Sequence, residues 1–203
     1  MNERPILFNG EMVNAILEGQ KTQTRRIVKP QPDGFIHWNP IIIGGYGGWC
    51  DEHGRPTPCP QGQPGNRLWV RENGWQPKEP TDRELRDGAD TWPKYAYDAD
   101  GVSEFEAEQY KAWNWKRRPS IHMPRWASRI TLEITNVRVD RLQDISQSNA
   151  QAEGWNPLAE DGRNPAPYDP RSWYRMLWES INGKGSWNSN PWVWVIEFNR
   201  VEA

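Results

Sequence analysis

Ile130, Leu132 and Ile134 alternate with Thr131, Glu133 and Thr135, and this period-two run constrains the fold of the chain more than any other stretch. It requires a β-strand with one buried face. Val137 and Val139 extend the strand past Asn136, where a bulge is expected. Leu68-Trp69-Val70 reads as a second, short strand, and Trp192 and Trp194 alternate with Val193 and Val195 in a closing strand. Asn9 is placed to cap a short helix in which Met12, Val13, Ile16 and Leu17 recur at helical spacing, with Gly19 as its stop. Trp173, Leu177 and Ile181 fall on one face of a helix before the closing strand, and both groups are expected in the core. The pattern is α+β.

A chain of 203 residues buries about 70% of its unfolded surface, enough for one core plus loop insertions. Gly44 to Gly48, Pro56 to Gly65 and Asn156 to Pro170 are Pro/Gly-rich and read as loops of a single domain, because no second periodic core lies beyond them. Pro77 to Asp90 is charged and lacks apolar periodicity, so it is either an exposed excursion or a lid. A net charge of −2 and a pI near 6.0 argue against an avid general nucleic-acid binder while leaving room for a local basic groove. The N-terminus lacks a signal-peptide pattern, and no stretch approaches the ~20 apolar residues that span a bilayer. A cytoplasmic protein without membrane partners is expected.

The densest chemistry lies in Gly19-Gln20-Lys21-Thr22-Gln23-Thr24-Arg25-Arg26. Gly-x-Lys-Thr superficially matches a phosphate-gripping loop, but that loop precedes a helix N-terminus and this one follows a helix C-terminus, which excludes nucleoside triphosphate binding. A basic, solvated loop is the plain alternative. Lysine serves as a general base when burial or a neighbouring cation disfavours its ammonium, and Arg25 and Arg26 are suitable neighbours. If the motif keeps a helical or tight turn, Lys21 and Thr24 share a side and form a Thr-Lys pair. Glu153 and Glu72 are the contenders for a proton-donating acid. Cys50, His53 and Cys59 supply three ligand-type residues in one loop, but without the tight paired knuckles of structural zinc sites. We read them as free thiols and expect no metal or other cofactor. His122 fits a loop hydrogen bond better than acid/base chemistry. Among the 14 tryptophans, Trp113 and Trp115 interleave with Lys111, Lys116, Arg117 and Arg118 as base-stacking residues do, although a packed insertion is the simpler account, since aromatics dominate cores.

Gly19, Lys21, Thr24 and Arg26 fill Gly-x-Lys-x-x-Thr-x-Arg, which resembles the signature of the ASCH domain, a small β-barrel family related to the PUA-type RNA-binding fold. Further similarities follow in family order. Gly65 to Val70 resembles its Gly-Asp-x-Leu-x-Val motif, with Asn66 in place of Asp. Ser128 to Asp140 is similar to its long central strand, Asp144 to Gly154 to the helix after it, and Pro191 to Arg200 to its closing strand. The likeness is weakest at about 31–63 and 73–119, which read as insertions, and the arrangement is most similar to larger ASCH proteins of phage and prophage genomes. The resemblance implies an α+β, single-domain PUA-like β-barrel flanked by short helices.

Within that superfamily one bacterial group consists of N(4)-acetylcytidine amidohydrolases. Carried over residue by residue, the resemblance implies Lys21, Thr24 and Glu153 as the catalytic set; we expect Lys21 as base, Thr24 as nucleophile or as the group that orients an attacking water, Glu153 as the acid that protonates the departing cytosine amine, and Arg26 or backbone N–H groups at the oxyanion. Phe8, Trp69, Arg71 and Glu72 are candidates for binding the base. The implied substrate is a small nucleoside or base. The rival class is a non-catalytic module binding RNA or a modified base, with Lys21, Arg25, Arg26 and Arg71 on phosphates and Trp69, Trp113 and Trp115 stacking. RNA cleavage is a third reading, weakened by the lack of a histidine pair. Oligomeric state is left open.

Overall fold

The computed structural model describes residues 2–40, 48–78, 94–156 and 169–201. Its centre is a five-stranded sheet in the order β1 (Glu3–Leu7), β5 (Arg67–Arg71), β9 (Thr131–Arg141), β10 (Trp192–Val201), β2 (Gln23–Ile27). β1 runs parallel to β5, and every other neighbouring pair is antiparallel. Among the described residues no ladder joins β1 to β2, so the pairing is that of an open sheet.

The bulge expected at Asn136 is present and has a clear purpose. Ile196 pairs with Val137 and Phe198 with Ile134, so β9 contributes one more residue than β10 across that interval. An unbulged strand would send Ile134 and Val137 to opposite faces; the extra residue keeps both on one core, which also takes Leu68, Val70, Leu132, Trp194, Ile196 and Phe198. The opposite face of β10 presents Val193 and Val195 to a second core built from Leu142, Ile145, Ala150, Tyr174, Trp178 and Trp187.

Four α-helices lie among the described residues. α1 (Gly10–Leu17) is capped by Asn9, whose side chain accepts from the Met12 N–H, and Gly19 ends it at φ 75°. α2 is Glu104–Ala112, and α3 (Gln147–Ala152) is capped by Ser146. Removing that cap with Ser146→Ala is expected to cost about 1 kcal/mol in a urea titration.

α4 (Pro170–Asn182) corrects the expected core face. Tyr174 and Trp178 are buried, Trp173 and Leu177 flank them, and Ile181 is 53% exposed. Two adjacent stripes of this helix are apolar, and the one that meets Trp187 and the Arg25 guanidinium is the one buried.

The two segments expected as insertions carry small sheets of their own. A hairpin of β3 (Ile36–Asn39) and β4 (Gly48–Asp51) falls in the first; β7 (Ala96–Tyr97), β6 (Gly74–Gln76) and β8 (Lys116–Arg118), together with α2, fall in the second. Trp113 is 61% exposed, whereas Trp115 stacks on Tyr110 with ring centroids 4.9 Å apart. Most of the charged stretch from Pro77 to Asp90 and of the two loops at 44–48 and 156–170 lies outside the described residues. No helix among the described residues is long and apolar enough to cross a membrane.

Candidate active site

Backbone contacts bring two distant motifs together. After α1 the chain turns back so that the N–H groups of Gln20 and Lys21 both donate to the Ala15 carbonyl, at 2.8 and 2.9 Å. Lys21 then forms an antiparallel bridge with Glu153, the C-cap of α3, and the Thr22 N–H donates to the Ala152 carbonyl at 2.9 Å. The side chains meet across this bridge. Lys21 Nζ donates to Glu153 Oε2 at 2.8 Å and to the Glu153 carbonyl at 2.9 Å, while Arg25 Nη1 donates to Glu153 Oε1 at 2.9 Å and to Gln23 Oε1 at 2.6 Å. The side chains of Lys21 and Arg25 are 0% exposed and that of Glu153 is 2% exposed.

One carboxylate thus holds two buried cations. Burial pushes the Lys21 ammonium below the ordinary lysine range, the Glu153 carboxylate opposes that shift, and Arg26 and Arg25 add to it. Such a buried ionic cluster is a poor source of stability, because the desolvation of each charge offsets most of the attraction. A lysine whose ammonium is disfavoured by burial, next to a pocket, is a candidate for chemistry.

Gly154 allows the approach. Its φ is 104°, and a Cβ there would lie 3.1 Å from the Ala15 Cβ and 3.4 Å from the Lys21 Cβ. Gly154→Ala is expected to lower unfolding stability by about 1–3 kcal/mol, through backbone strain and through forcing α1 from the bridge. Urea unfolding checks it.

The motif after Lys21 is extended, which corrects the turn expected for it. Its β2 residues form a ladder with β10, and residues directly opposite share a face. Thr24 pairs with Ile196 and Arg26 with Trp194, on the side of the main core; Gln23 pairs with Glu197 and Arg25 with Val195, on the side of the second core. Strand pairing therefore sends Thr24 to the side opposite Arg25 rather than placing it in a turn with Lys21. The Thr24 hydroxyl has no hydrogen-bond partner among the described residues, Lys21 included.

A pocket of about 240 Å³ lies between β2, α1 and α4. Thr24, Arg25, Arg26 and Glu153 give its polar wall; Met12, Tyr174, Leu177 and Trp178 give its apolar one. Lys21 stands one hydrogen bond behind Glu153. Arg26 Nη2 donates to the Leu7 carbonyl at 2.7 Å, and its guanidinium lies 5.3 Å from the Phe8 ring centroid. Phe8 also sits 5.7 Å from Lys21 Nζ but is itself part of the main core, so it supports both cations from beneath.

The other sequence candidates lie elsewhere. Alternation along β5 buries Leu68 and Val70 and carries Glu72, 1% exposed, to the same inner side. There Glu72 takes both Nε and Nη2 of Arg129, each at 3.0 Å, and not a motif arginine. Burial raises the Glu72 carboxyl, against the pull of Arg129. Trp69 and Arg71 take the alternate positions of that strand: the Trp69 ring lies 5.2 Å from the Arg71 guanidinium and 5.7 Å from that of Arg125, and neither Trp69 nor Arg71 lines the pocket. Cys50 and Cys59 are buried free thiols, His53 and His122 are exposed, and no cluster of His, Cys, Asp or Glu suited to a metal occurs among the described residues.

Three site residues were not read in their present roles. From sequence Arg25 is a neighbouring charge or a phosphate contact, and nothing points to Gln23 or Tyr174. The signal available was parity: in an extended chain Lys21, Gln23 and Arg25 share a side, and Thr22, Thr24, Ile27 and Val28 favour a strand. Comparison with known proteins finds no family model, no curated protein and no solved structure that matches this chain.

Proposed function

We propose that the protein is an amidohydrolase of the ASCH superfamily that removes an acyl group from the exocyclic amine of N(4)-acylated cytidine or cytosine. The observation that carries this reading is the buried Lys21–Glu153 pair, 2.8 Å across, with Glu153 and Thr24 both lining one pocket. The resemblance assigns catalysis to the same three residues. A PUA-like barrel is supported by the Arg26 bond to Leu7, which spans the gap between the edge strands β2 and β1.

Proton bookkeeping closes within the pair. Passing the shared proton from Nζ to Oε2 leaves a neutral amine and a carboxylic acid, the two forms that base and acid catalysis require. Lys21 takes the proton of Thr24 as Oγ1 bonds to the acyl carbon, with the developing oxyanion facing Arg26. The carbon–nitrogen bond then breaks as Glu153 gives its proton to the cytosine nitrogen, which restores the ion pair. Water resolves the acyl-threonine by the same route, releasing a carboxylate and one proton to solvent. Lys21 and Thr24 must approach during the first step, since no hydrogen bond joins them at rest. Thr24→Val is expected to lower kcat by about 10²-fold or more while nucleoside binding persists. Hydrolysis at the wild-type rate would remove the acyl-threonine.

One observation favours a second reading. Trp113 is 61% exposed, with exposed Lys111 and Lys116 close to it in sequence, a grouping suited to stacking single-stranded RNA bases. Binding of that kind weakens steeply with salt, whereas turnover of a neutral nucleoside does not.

A further inference from the structure

We propose that the buried guanidinium of Arg25 holds an anionic oxygen group carried by the substrate, a carboxylate on its acyl chain or a phosphate on its ribose. The inference deepens the amidohydrolase reading and rests on it for the identity of the substrate. Its basis is the hydrogen bonding of Arg25. Nη1 makes both of the residue's bonds, to Gln23 and Glu153, while Nε and Nη2 are buried with no partner among the described residues.

Those two atoms form one edge of the guanidinium, and this protein shows what that edge grips. Arg129 uses the same Nε and Nη2 pair to hold the Glu72 carboxylate, at 3.0 and 3.0 Å. Parallel donors of this kind match two oxygens of a carboxylate or phosphate and are wasted on a neutral methyl group. Leaving such donors buried and unpaired costs free energy that a ligand oxygen recovers.

Arg25 follows Thr24 in β2, and both residues line the same pocket, although their side chains leave the strand on opposite sides. The Tyr174 ring, 5.7 Å from the guanidinium carbon, backs it from α4. Charge agrees: Arg25, Arg26 and Lys29 line the pocket, and Glu153, the one acidic lining residue among the described residues, already has both oxygens engaged, by Lys21 and Arg25. The pocket volume lies just under the roughly 300–1,000 Å³ of drug-sized sites, which suits a nucleoside with a short acyl chain better than a polymer.

The test compares kcat/KM for N(4)-acetylcytidine, N(4)-succinylcytidine and N(4)-acetylcytidine 5′-monophosphate in the wild type, Arg25→Gln and Arg25→Lys. One anionic substrate is expected to exceed the neutral one by about 10- to 100-fold in the wild type, to fall to near parity in Arg25→Gln and to recover only in part in Arg25→Lys, which lacks the fork. Preference for the succinyl compound places the anion on the acyl group; preference for the monophosphate places it on the ribose. Equal rates on all three, or a preference that survives in Arg25→Gln, overturns the proposal. Calorimetry with succinate and with inorganic phosphate on the Thr24→Val protein gives a readout independent of turnover. If no substrate is hydrolysed, the amidohydrolase reading fails, and anion binding that disappears in a folded Arg25→Gln protein, by near-ultraviolet dichroism, still upholds Arg25. Absence of binding by either anion then overturns it too.

Discussion

Replacing Glu153 with leucine is expected to lower the free energy of unfolding by about 3–5 kcal/mol near neutral pH, because it strands two cations whose side chains are fully buried. For a chain of this size that corresponds to a fall in Tm of about 10 °C. Arg25 keeps Gln23 as a partner, but Lys21 keeps only a main-chain carbonyl. The loss should depend on pH in a definite direction. Lys21 already titrates below its ordinary value of 10.5, and Glu153 is the group that opposes that shift, so its removal pushes the folded-state value lower still. Between that value and 10.5 the unfolded chain holds a proton that the folded variant has released, so stability rises with pH across the window and is lost as pH falls through the folded value. The deficit relative to wild type is therefore larger below the variant's folded Lys21 value than above it, and it shrinks as pH rises from that value toward the wild-type one. Urea unfolding near neutral pH and about one unit below 10.5 measures both parts. A deficit under about 1 kcal/mol, or one that does not change with pH, would show that the cluster is not the buried ionic unit described above.

The strands of this fold are more legible in the sequence than its helix faces. Ile130 to Val139 carries both the period and the break in period, so the strand and its bulge follow from local pattern alone. α4 offers two apolar stripes one residue apart, Trp173-Leu177-Ile181 and Tyr174-Trp178, and local periodicity does not choose between them. The choice depends on Arg25 and Trp187, which arrive from opposite ends of the chain. The site divides in the same way. Ser146 and Gly154 mark the ends of α3 and so fix where Glu153 stands, but the pairing of Lys21 with a residue 132 positions away is a tertiary fact, reached from sequence only through resemblance. Misreading the motif as a turn had one cause. Lysine, glutamine and arginine at alternate positions look like a solvated loop until a carboxylate is found to satisfy them. Glu72 shows the converse: its burial at the end of β5 was foreseeable from alternation, yet its partner Arg129 lies 57 positions away, just before β9.

Lys21→Met is expected to reduce kcat/KM for N(4)-acetylcytidine by about 10²–10⁴-fold, the range typical of removing a general base. The substitution is less damaging to the fold than the loss of Glu153, because the carboxylate it leaves is still held by Arg25 at 2.9 Å. A fall in activity alone does not separate a base from a charge that merely positions Glu153. Lys21→Arg does: arginine keeps a positive charge beside the carboxylate but does not deprotonate in the working range, so it should be folded and as inactive as the methionine variant. The wild-type pH profile supplies the third readout. Burial lowers the Lys21 value, and the mechanism draws the proton delivered to the cytosine nitrogen from the Lys21 ammonium, so kcat/KM should fall as pH rises along a limb centred below 10.5, where that proton is lost. Cytidine release by chelator-treated protein is the assay. If Lys21→Arg retained activity within about fivefold, the lysine would not be the base, and the buried pair would serve to hold Glu153 against the pocket. If the wild type released no cytidine, the same pair would belong to a binding site, and the exposed Trp113 surface would become the place to test for RNA.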